Sequence, residues 1–73
     1  MEPALLLGKR IRSQREAVGI SQERLALASE LDRSYLGRIE RGEVNVTVAS
    51  LFQIAKALNC SARDLLPDNE VSS

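Results

Sequence analysis

The sequence predicts an all-α domain built from five short helices. Apolar residues recur at helical spacing along the chain, and only short turns separate the periodic segments. Good N-cap residues precede the later segments, namely Ser21, Asp32, Thr47 and Ser61. The chain has 73 residues, which is enough for one domain with a small core. We therefore expect residues 1–67 to form a single domain and residues 68–73 to form a disordered tail.

The first two helices are predicted over residues 5–18 and from Ser21 to residue 29. In the first helix Leu7, Ile11 and Val18 share one stripe, and Gly19 can adopt the left-handed conformation that ends a helix. The Ser21 hydroxyl can accept a hydrogen bond from an unpaired amide in the first turn of the second helix. Both helices are therefore expected to have defined ends.

The third helix follows the second after a very short turn. Leu31 is an apolar link, and Asp32 is the N-cap of a helix predicted over residues 33–40. Leu36 and Ile39 point inward at i, i+3 spacing, which leaves a polar face. Because only about three residues separate the second helix from the third, this pair has the spacing of a helix-turn-helix.

The last two helices are predicted to begin after Thr47 and after Ser61. The fourth helix has an apolar stripe that consists of Val48, Leu51, Ile54, Ala55 and Leu58. Ser61 and Asp64 form a variant of the capping box, with Asp in the place usually taken by Glu or Gln. Pro67 is expected to end the fifth helix, because proline cannot continue a helical hydrogen-bond ladder.

The residue types present do not indicate catalysis or a metal centre. The chain has no histidine, no paired carboxylates with catalytic spacing and no glycine-rich phosphate loop. Its one cysteine, Cys60, has apolar neighbours and is expected to be a small buried side chain rather than a reactive thiol. We therefore expect a protein that is not an enzyme, with no cofactor and no small-molecule ligand.

The beginning of the sequence does not resemble a targeting signal. It contains the apolar triplet Leu5-Leu6-Leu7, but this triplet follows no basic leader and belongs to no long apolar run. A signal peptide needs both features, and a membrane span needs about 20 apolar residues. The sequence therefore favours a cytoplasmic protein that does not enter the membrane.

Charge is distributed unevenly along a chain whose formal net charge is zero. Residues 9–41 carry eight Lys and Arg against five Asp and Glu, which gives 8 − 5 = +3. From Glu43 onward there are two basic residues against four acidic ones, which gives 2 − 4 = −2, and Glu2 completes the balance. A basic face on a neutral protein can bind a nucleic acid, but such binding has to depend on geometry more than on overall charge.

Several stretches together resemble the phage repressor and Cro helix-turn-helix family, also called XRE-like. These stretches are Ile20-Ser21-Gln22-Glu23, Leu25-Ala26, Leu31-Asp32-Arg33-Ser34-Tyr35-Leu36 and Ile39-Glu40-Arg41-Gly42. Asn45-Val46-Thr47, Leu51 and Ile54-Ala55-Lys56-Ala57-Leu58 are similar to short, free-standing members, which include the controller proteins of restriction-modification systems. The resemblance implies a five-helix, lambda-repressor-like domain that binds a palindromic DNA operator as a homodimer and regulates transcription.

The third helix would then lie in the major groove and read bases. Arg33 is the strongest candidate, since its guanidinium can bond guanine O6 and N7 together. Ser34, Tyr35 and Arg38 are the further base-reading candidates, although Tyr35 could equally pack against the core and Arg38 could be a solvated surface charge. Phosphate contacts are expected from Gln22, Arg41, Asn45 and Thr47, although cap and turn roles explain Asn45 and Thr47 as well.

The resemblance also implies an architectural ion pair between Arg15 and Glu40, against the alternative of two unrelated solvated charges. The homodimer interface is expected around the fifth helix and the loop before it. Leu58, Cys60, Leu65 and Leu66 offer apolar surface there that a small core does not obviously use. A two-fold dimer would present two third helices about 34 Å apart, which predicts half-sites one helical turn apart.

Three positions depart from the family pattern. Glu30 stands where the turn usually has glycine, so a non-glycine residue has to adopt an unusual backbone conformation. Gln14 occupies a position that is often leucine, and Val44 replaces a basic residue that controller relatives can carry in this loop. The operator preference of those relatives therefore does not transfer to this chain.

Two functional hypotheses follow. The first is a sequence-specific DNA-binding regulator, which could be a restriction-modification controller, a phage-type or chromosomal repressor, or an antitoxin-like regulator. As a repressor it would block polymerase from the promoter, and as an activator it would contact RNA polymerase. The second is a protein-interaction module of the same fold without specific DNA binding, which the neutral net charge favours.

Overall fold

The structure, a computed structural model, describes residues 3–66 and shows five helices in this range. They are α1 (Pro3–Val18), α2 (Gln22–Ala28), α3 (Arg33–Glu40), α4 (Val48–Ala57) and α5 (Ala62–Leu65). The all-α, five-helix prediction is confirmed, and the predicted limits of α3 match the observed ones. Pro67 and the predicted tail lie outside the described residues. None of the five helices is both long and apolar enough to cross a membrane.

Side chains cap four of the helices at their N-termini. The four predicted N-cap residues accept hydrogen bonds from backbone amides in the first turn: Ser21 from Arg24, Asp32 from Ser34, Thr47 from Ser50 and Ser61 from Arg63. The capping box of Ser61 and Asp64 is present as well, with the Ser61 amide donating to the Asp64 carboxylate at 3.1 Å. Each cap satisfies a backbone donor that has no partner inside its helix.

The first four helices all end with the same backbone device. A residue with positive φ follows each helix: Gly19 (85°), Glu30 (60°), Gly42 (75°) and Asn59 (58°). After α3, for example, the amide of Gly42 donates to the carbonyl of Ile39 at 3.0 Å, and the amide of Glu43 donates to that of Arg38 at 2.9 Å. This is the Schellman pattern, which satisfies carbonyls at a helix end and reverses the chain sharply. The unusual conformation predicted at Glu30 is therefore present.

One core connects all five helices. Helix α1 packs on α3 and α5, α2 packs on α3 and α4, and α4 packs on α5. The buried apolar side chains are Ile11, Leu25, Ala26, Leu36, Ile39, Leu51, Ile54, Ala55, Leu58 and Leu65. Burial of these side chains removes apolar surface from water and holds α3 with its polar face outward.

Two residues assigned to apolar stripes are exposed instead. Val18 lies on the stripe of α1 but is the last residue of that helix, and 49% of it is exposed. Val48 lies in the first turn of α4, at the edge of a stripe centred on Leu51 and Leu58. The prediction that these two side chains face the core is wrong.

The expectation for Leu58 and Leu65 also needs correction. Both side chains are buried in the core of the single chain, because α5 folds back against α1 and α4. They therefore offer no free apolar surface to a second chain. Cys60 is half-buried, and Leu66 keeps 37% of its surface exposed. Of the four apolar residues proposed for the dimer interface, only these two remain accessible.

Helix α1 crosses α3 at very short range where Gly8 meets the end of α3. A Cβ atom added to Gly8 would overlap the carbonyl oxygen of Ile39 and would lie 2.7 Å from the carbonyl oxygen of Glu40. Both obstacles are backbone atoms, which a side-chain rotation cannot move away. Glycine at this position therefore sets the distance between the two helices.

We expect Gly8→Ala to lower the free energy of unfolding by about 2 kcal/mol, because α1 and α3 have to separate to admit the methyl group. This loss outweighs the gain of up to about 1 kcal/mol that alanine brings inside a helix. Urea unfolding monitored by circular dichroism measures the change. The control, Ser13→Ala at an exposed position of α1, is expected to change stability by less than about 0.5 kcal/mol. Equal stability of both variants would contradict the close-packing argument.

Candidate nucleic-acid interface

A buried carboxylate fixes α3 in place. The Glu40 side chain is 3% exposed and the Arg15 side chain is 11% exposed. Arg15 donates from Nε to Oε2 of Glu40 at 2.7 Å and from Nη2 to Oε1 at 3.1 Å, which is a bidentate ion pair. The pKa of Arg15 is raised above its ordinary value, chiefly by the hydrogen bond to Glu40. The pair implied by the family resemblance therefore joins α1 to the end of α3.

Gln22 completes this network from α2. Its Nε2 donates to Oε1 of Glu40 at 3.0 Å, and Nη1 of Arg15 donates to the carbonyl of Ile20 at 3.0 Å. One carboxylate thus receives hydrogen bonds from side chains of both α1 and α2. Within residues 3–66, no buried side-chain nitrogen or oxygen lacks a hydrogen-bond partner. The network is fully satisfied, so it holds the three helices in one relative arrangement.

Helix α3 presents a polar face to solvent along most of its length. Arg33, Ser34 and Arg38 are exposed, and neither arginine belongs to an ion pair among the described residues. Tyr35 is half-buried and packs against the core, so its ring has a structural role whatever its hydroxyl does. A short helix that presents two uncompensated guanidinium groups next to a tight turn has the shape and charge of a major-groove reader.

A groove runs between the start of α2 and the polar face of α3. Its lining consists of Gln22, Arg33, Ser34, Gly37, Arg38 and Arg41. Five of these residues were predicted to contact DNA, and the fold brings them together along one groove. Gly37 was not predicted to be part of the site, although a glycine inside a polar helix face indicates that another group approaches the backbone closely. Here the approaching group is Arg41, whose Nη1 would lie 3.2 Å from a Cβ on Gly37.

Two of the predicted phosphate-contacting residues already have partners within the chain. One N–H of the Gln22 amide bonds Glu40, which leaves the second N–H for a ligand. Thr47 caps α4: its Oγ1 accepts from the Ser50 amide at 3.0 Å and donates to the Ser50 hydroxyl at 2.9 Å. Asn45 is exposed in the loop before α4. The cap role of Thr47 is therefore observed, and a phosphate contact would be additional to it.

Arg41 also has a partner, which the sequence reasoning did not identify. Its Nε donates to Oε2 of Glu43 at 2.7 Å, and its Nη2 lies 3.4 Å from Oε1. Both side chains are more than half exposed. The hydrogen bond raises the pKa of Arg41 and lowers the pKa of Glu43. The spacing of an acidic residue two positions after the arginine was visible in the sequence, but the geometry depends on the turn at Gly42.

Cys60 lies outside the groove beside α3. Burial raises the pKa of the half-buried Cys60 thiol, so the thiol stays protonated at neutral pH, as expected of a structural cysteine. Among residues 3–66, no cluster of His, Cys, Asp and Glu has the geometry of a metal site.

These features define a DNA-binding helix-turn-helix: α2 and α3 enclose a short turn, a buried ion pair fixes them to α1, and α3 exposes arginines. The family model described as "Helix-turn-helix" matches residues 11–65. The chain belongs to this helix-turn-helix family, whose members are DNA-binding regulators of transcription.

Several known proteins are similar to this chain over most of its length. The chain is 48% identical to the control protein C.SmaI of Serratia marcescens over 61 residues, which cover 84% of this chain and 73% of that protein. It is 41% identical to the control protein C.BamHI of Bacillus amyloliquefaciens over 63 residues, covering 85% and 78%. The crystal structure of the restriction-modification controller protein C.AhdI from Aeromonas hydrophila superimposes with a TM-score of 0.85 at 44% identity, covering 86% of this chain and 96% of that one.

Glu40→Ala is expected to lower the free energy of unfolding by about 3 kcal/mol, because it leaves the Arg15 guanidinium partly buried without its carboxylate. Chemical denaturation measures the loss. The matched control is Glu16→Ala, which removes an exposed ion pair with Arg12 (3.2 Å) and is expected to change stability by less than about 0.5 kcal/mol. If the two substitutions had equal effects, the pair of Arg15 and Glu40 would not hold the helices together.

Proposed function

We propose that this regulator is a restriction-modification controller that binds an inverted-repeat operator as a homodimer. The observation that carries the proposal is the groove beside α3, where Arg33, Arg38 and Arg41 converge next to Ser34 and Gln22. The similarity to C.SmaI, C.BamHI and C.AhdI over most of their lengths supports the controller assignment. The proposed activity is binding alone, without catalysis, and it takes place in the cytoplasm, where bacterial regulators meet their DNA.

Base reading is assigned to the exposed face of α3. Arg33 follows the N-cap Asp32, so its side chain projects from the helix end that enters the major groove deepest. Its guanidinium is available to bond guanine O6 and N7 together. Ser34 and Arg38 are exposed beside it, and the hydroxyl of the half-buried Tyr35 is the fourth candidate contact. These side chains differ in donor and acceptor pattern, so together they can select a sequence.

Phosphate contacts are assigned to the residues around this face. Arg41 and Gln22 line the same groove as the base-reading residues, and Asn45 and Thr47 lie in and after the loop that follows α3. Such contacts place α3 in register on the duplex without reading sequence. Because the chain has no net charge, the few contacts that it makes have to be arranged around the helix rather than spread over the surface.

The second copy of the chain is proposed to bind at α5 and the loop before it. Leu66 and Cys60 are the accessible apolar side chains of that region. Phe52 of α4, the helix that packs against α5, is also exposed and is a further apolar candidate that was not predicted from sequence. Dimerisation doubles the number of contacts to DNA and imposes two-fold symmetry on the operator. Bound at a promoter, the dimer would block RNA polymerase or contact it, and operator position decides between the two.

We expect selection from random duplexes to enrich an inverted repeat with half-sites one helical turn apart. Arg33→Ala is expected to relax the preference at one base pair in each half-site, at about 1–3 kcal/mol per contact. The selection is run at two salt concentrations with purified, folded protein. The control is Arg10→Ala, an equal loss of charge at an exposed position of α1, and it should keep the operator preference. Failure of the wild type to enrich any sequence would favour the protein-interaction module instead.

Leu66→Glu is expected to weaken the homodimer, because it places a charge in an apolar contact that loses its water on association. Sedimentation velocity over a concentration series should show monomer where the wild type is a dimer. The matched control, Leu27→Glu, makes the same change at a side chain of α2 that is 76% exposed, and it should leave the dimer intact. A Leu66→Glu variant that dimerises like the wild type would place the interface elsewhere.

A further inference from the structure

We propose that Glu43 competes with DNA phosphate for Arg41 and so holds down the affinity of this protein for all duplex DNA. The inference rests on the proposed DNA-binding function and assigns Glu43 as a residue that sets affinity without reading bases. It concerns an ion pair within one chain, at the edge of the groove formed by α2 and α3.

The contact between Arg41 and Glu43 occupies the atoms that a phosphate would use. The carboxylate of Glu43 receives the Nε–H of Arg41 at 2.7 Å and lies 3.4 Å from Nη2. The edge of a guanidinium that carries Nε and Nη2 can donate hydrogen bonds to two oxygens of a phosphate side by side. A carboxylate and a phosphate are therefore alternative ligands for the same donors, and Arg41 cannot hold both on that edge.

The backbone fixes Glu43 beside this arginine. Glu43 is the second residue after the C-cap of α3, and its amide donates to the carbonyl of Arg38 at 2.9 Å. Gly42, with φ of 75°, makes the sharp turn, and a Cβ there would lie 2.7 Å from the Cα of Leu5. Because α1 packs against this turn, Glu43 cannot easily move away from α3. Its backbone position is therefore set by the fold, and from this position its carboxylate reaches Arg41 at the edge of the groove.

Arg41 lines the groove, although its side chain is more than half exposed. One end of its guanidinium lies beside Gly37, where a Cβ atom would be 3.2 Å from Nη1. The field of Arg38 also acts on Glu43, since both Arg41 and Arg38 lower the pKa of this carboxyl group. Glu43 therefore carries a full negative charge at neutral pH next to two of the three arginines of the groove.

The consequence for DNA binding follows from counterion release. A cation that is already neutralised within the protein releases fewer counterions from DNA when it binds a phosphate. When the charge of Glu43 is removed, Arg41 can neutralise one phosphate fully. The slope of the logarithm of the binding constant against the logarithm of the salt concentration then becomes steeper by about 0.9 per protomer. Since phosphate contacts carry no sequence information, operator and non-operator DNA gain affinity alike.

The test compares wild type with Glu43→Gln on the operator selected above and on a scrambled duplex of equal length, across a series of salt concentrations. We expect Glu43→Gln to bind both duplexes about three to ten times more tightly at low salt, with the steeper salt dependence. The selected sequence should stay the same. The control is Glu16→Gln, an equal change of charge at the exposed pair with Arg12, and it should leave both quantities near the wild-type values.

A double-mutant cycle assigns the effect to Arg41. In an Arg41→Ala background, Glu43→Gln is expected to change affinity by less than a factor of about two, because the competed cation is gone. Unchanged binding by Glu43→Gln while the wild type binds its operator would overturn this inference and leave the proposed function standing. Weaker operator binding by Glu43→Gln would also overturn it, because that result would mean that Glu43 supports DNA binding rather than opposing it. A wild type that selects no operator would instead refute the proposed function itself.

Discussion

The Glu40 carboxylate is the group on which the rest of the structure depends. It is buried at the end of α3 and receives hydrogen bonds from Arg15 of α1 and Gln22 of α2, so three helices meet on one side chain. A buried charge is tolerated only when its hydrogen bonds are satisfied, and here they come from two directions. These hydrogen bonds fix the end of α3 relative to α1 and α2. The polar face of α3 can be a rigid surface because its last turn is held in this way.

Local signals in the sequence predicted most of the fold. The starts of four helices could be predicted, because a cap depends on one side chain and the amides of the following turn. The cap residues are Ser21, Asp32, Thr47 and Ser61. The burial of Val18, Leu58 and Leu65 depends instead on which helices pack against each other, including the packing of α5 on α1 and α4. Helical periodicity describes one helix at a time, so it could not separate core from free surface at these positions.

The candidate site divides in the same way. Arg33, Ser34 and Arg38 could be placed on one face from spacing alone, and the structure shows them exposed together. The partners of Gln22 and Arg41 could not be predicted, since each depends on a turn that brings a distant or reversed segment near. The role of Gly37 could not be predicted either, because it depends on the guanidinium of Arg41 lying against this position. Sequence therefore identified donors, and structure identified which donors are already engaged.

The zero net charge of the chain also affects how strongly it is attracted to DNA without regard to sequence. Strong, unspecific attraction to phosphate would hold a small regulator on any DNA, because genomic sites without the operator outnumber operators by many orders of magnitude. Arg33 and Arg38, on the face of α3 proposed to read bases, have no ion-pair partner among the described residues, while Arg41 at the margin is paired with Glu43. On the proposed function, charge is therefore available where contacts would select a sequence and is compensated where they would not. By the inference above, Glu43 lowers the affinity for operator and non-operator DNA alike, so the preference for the operator depends on the base contacts of α3 and not on this carboxylate.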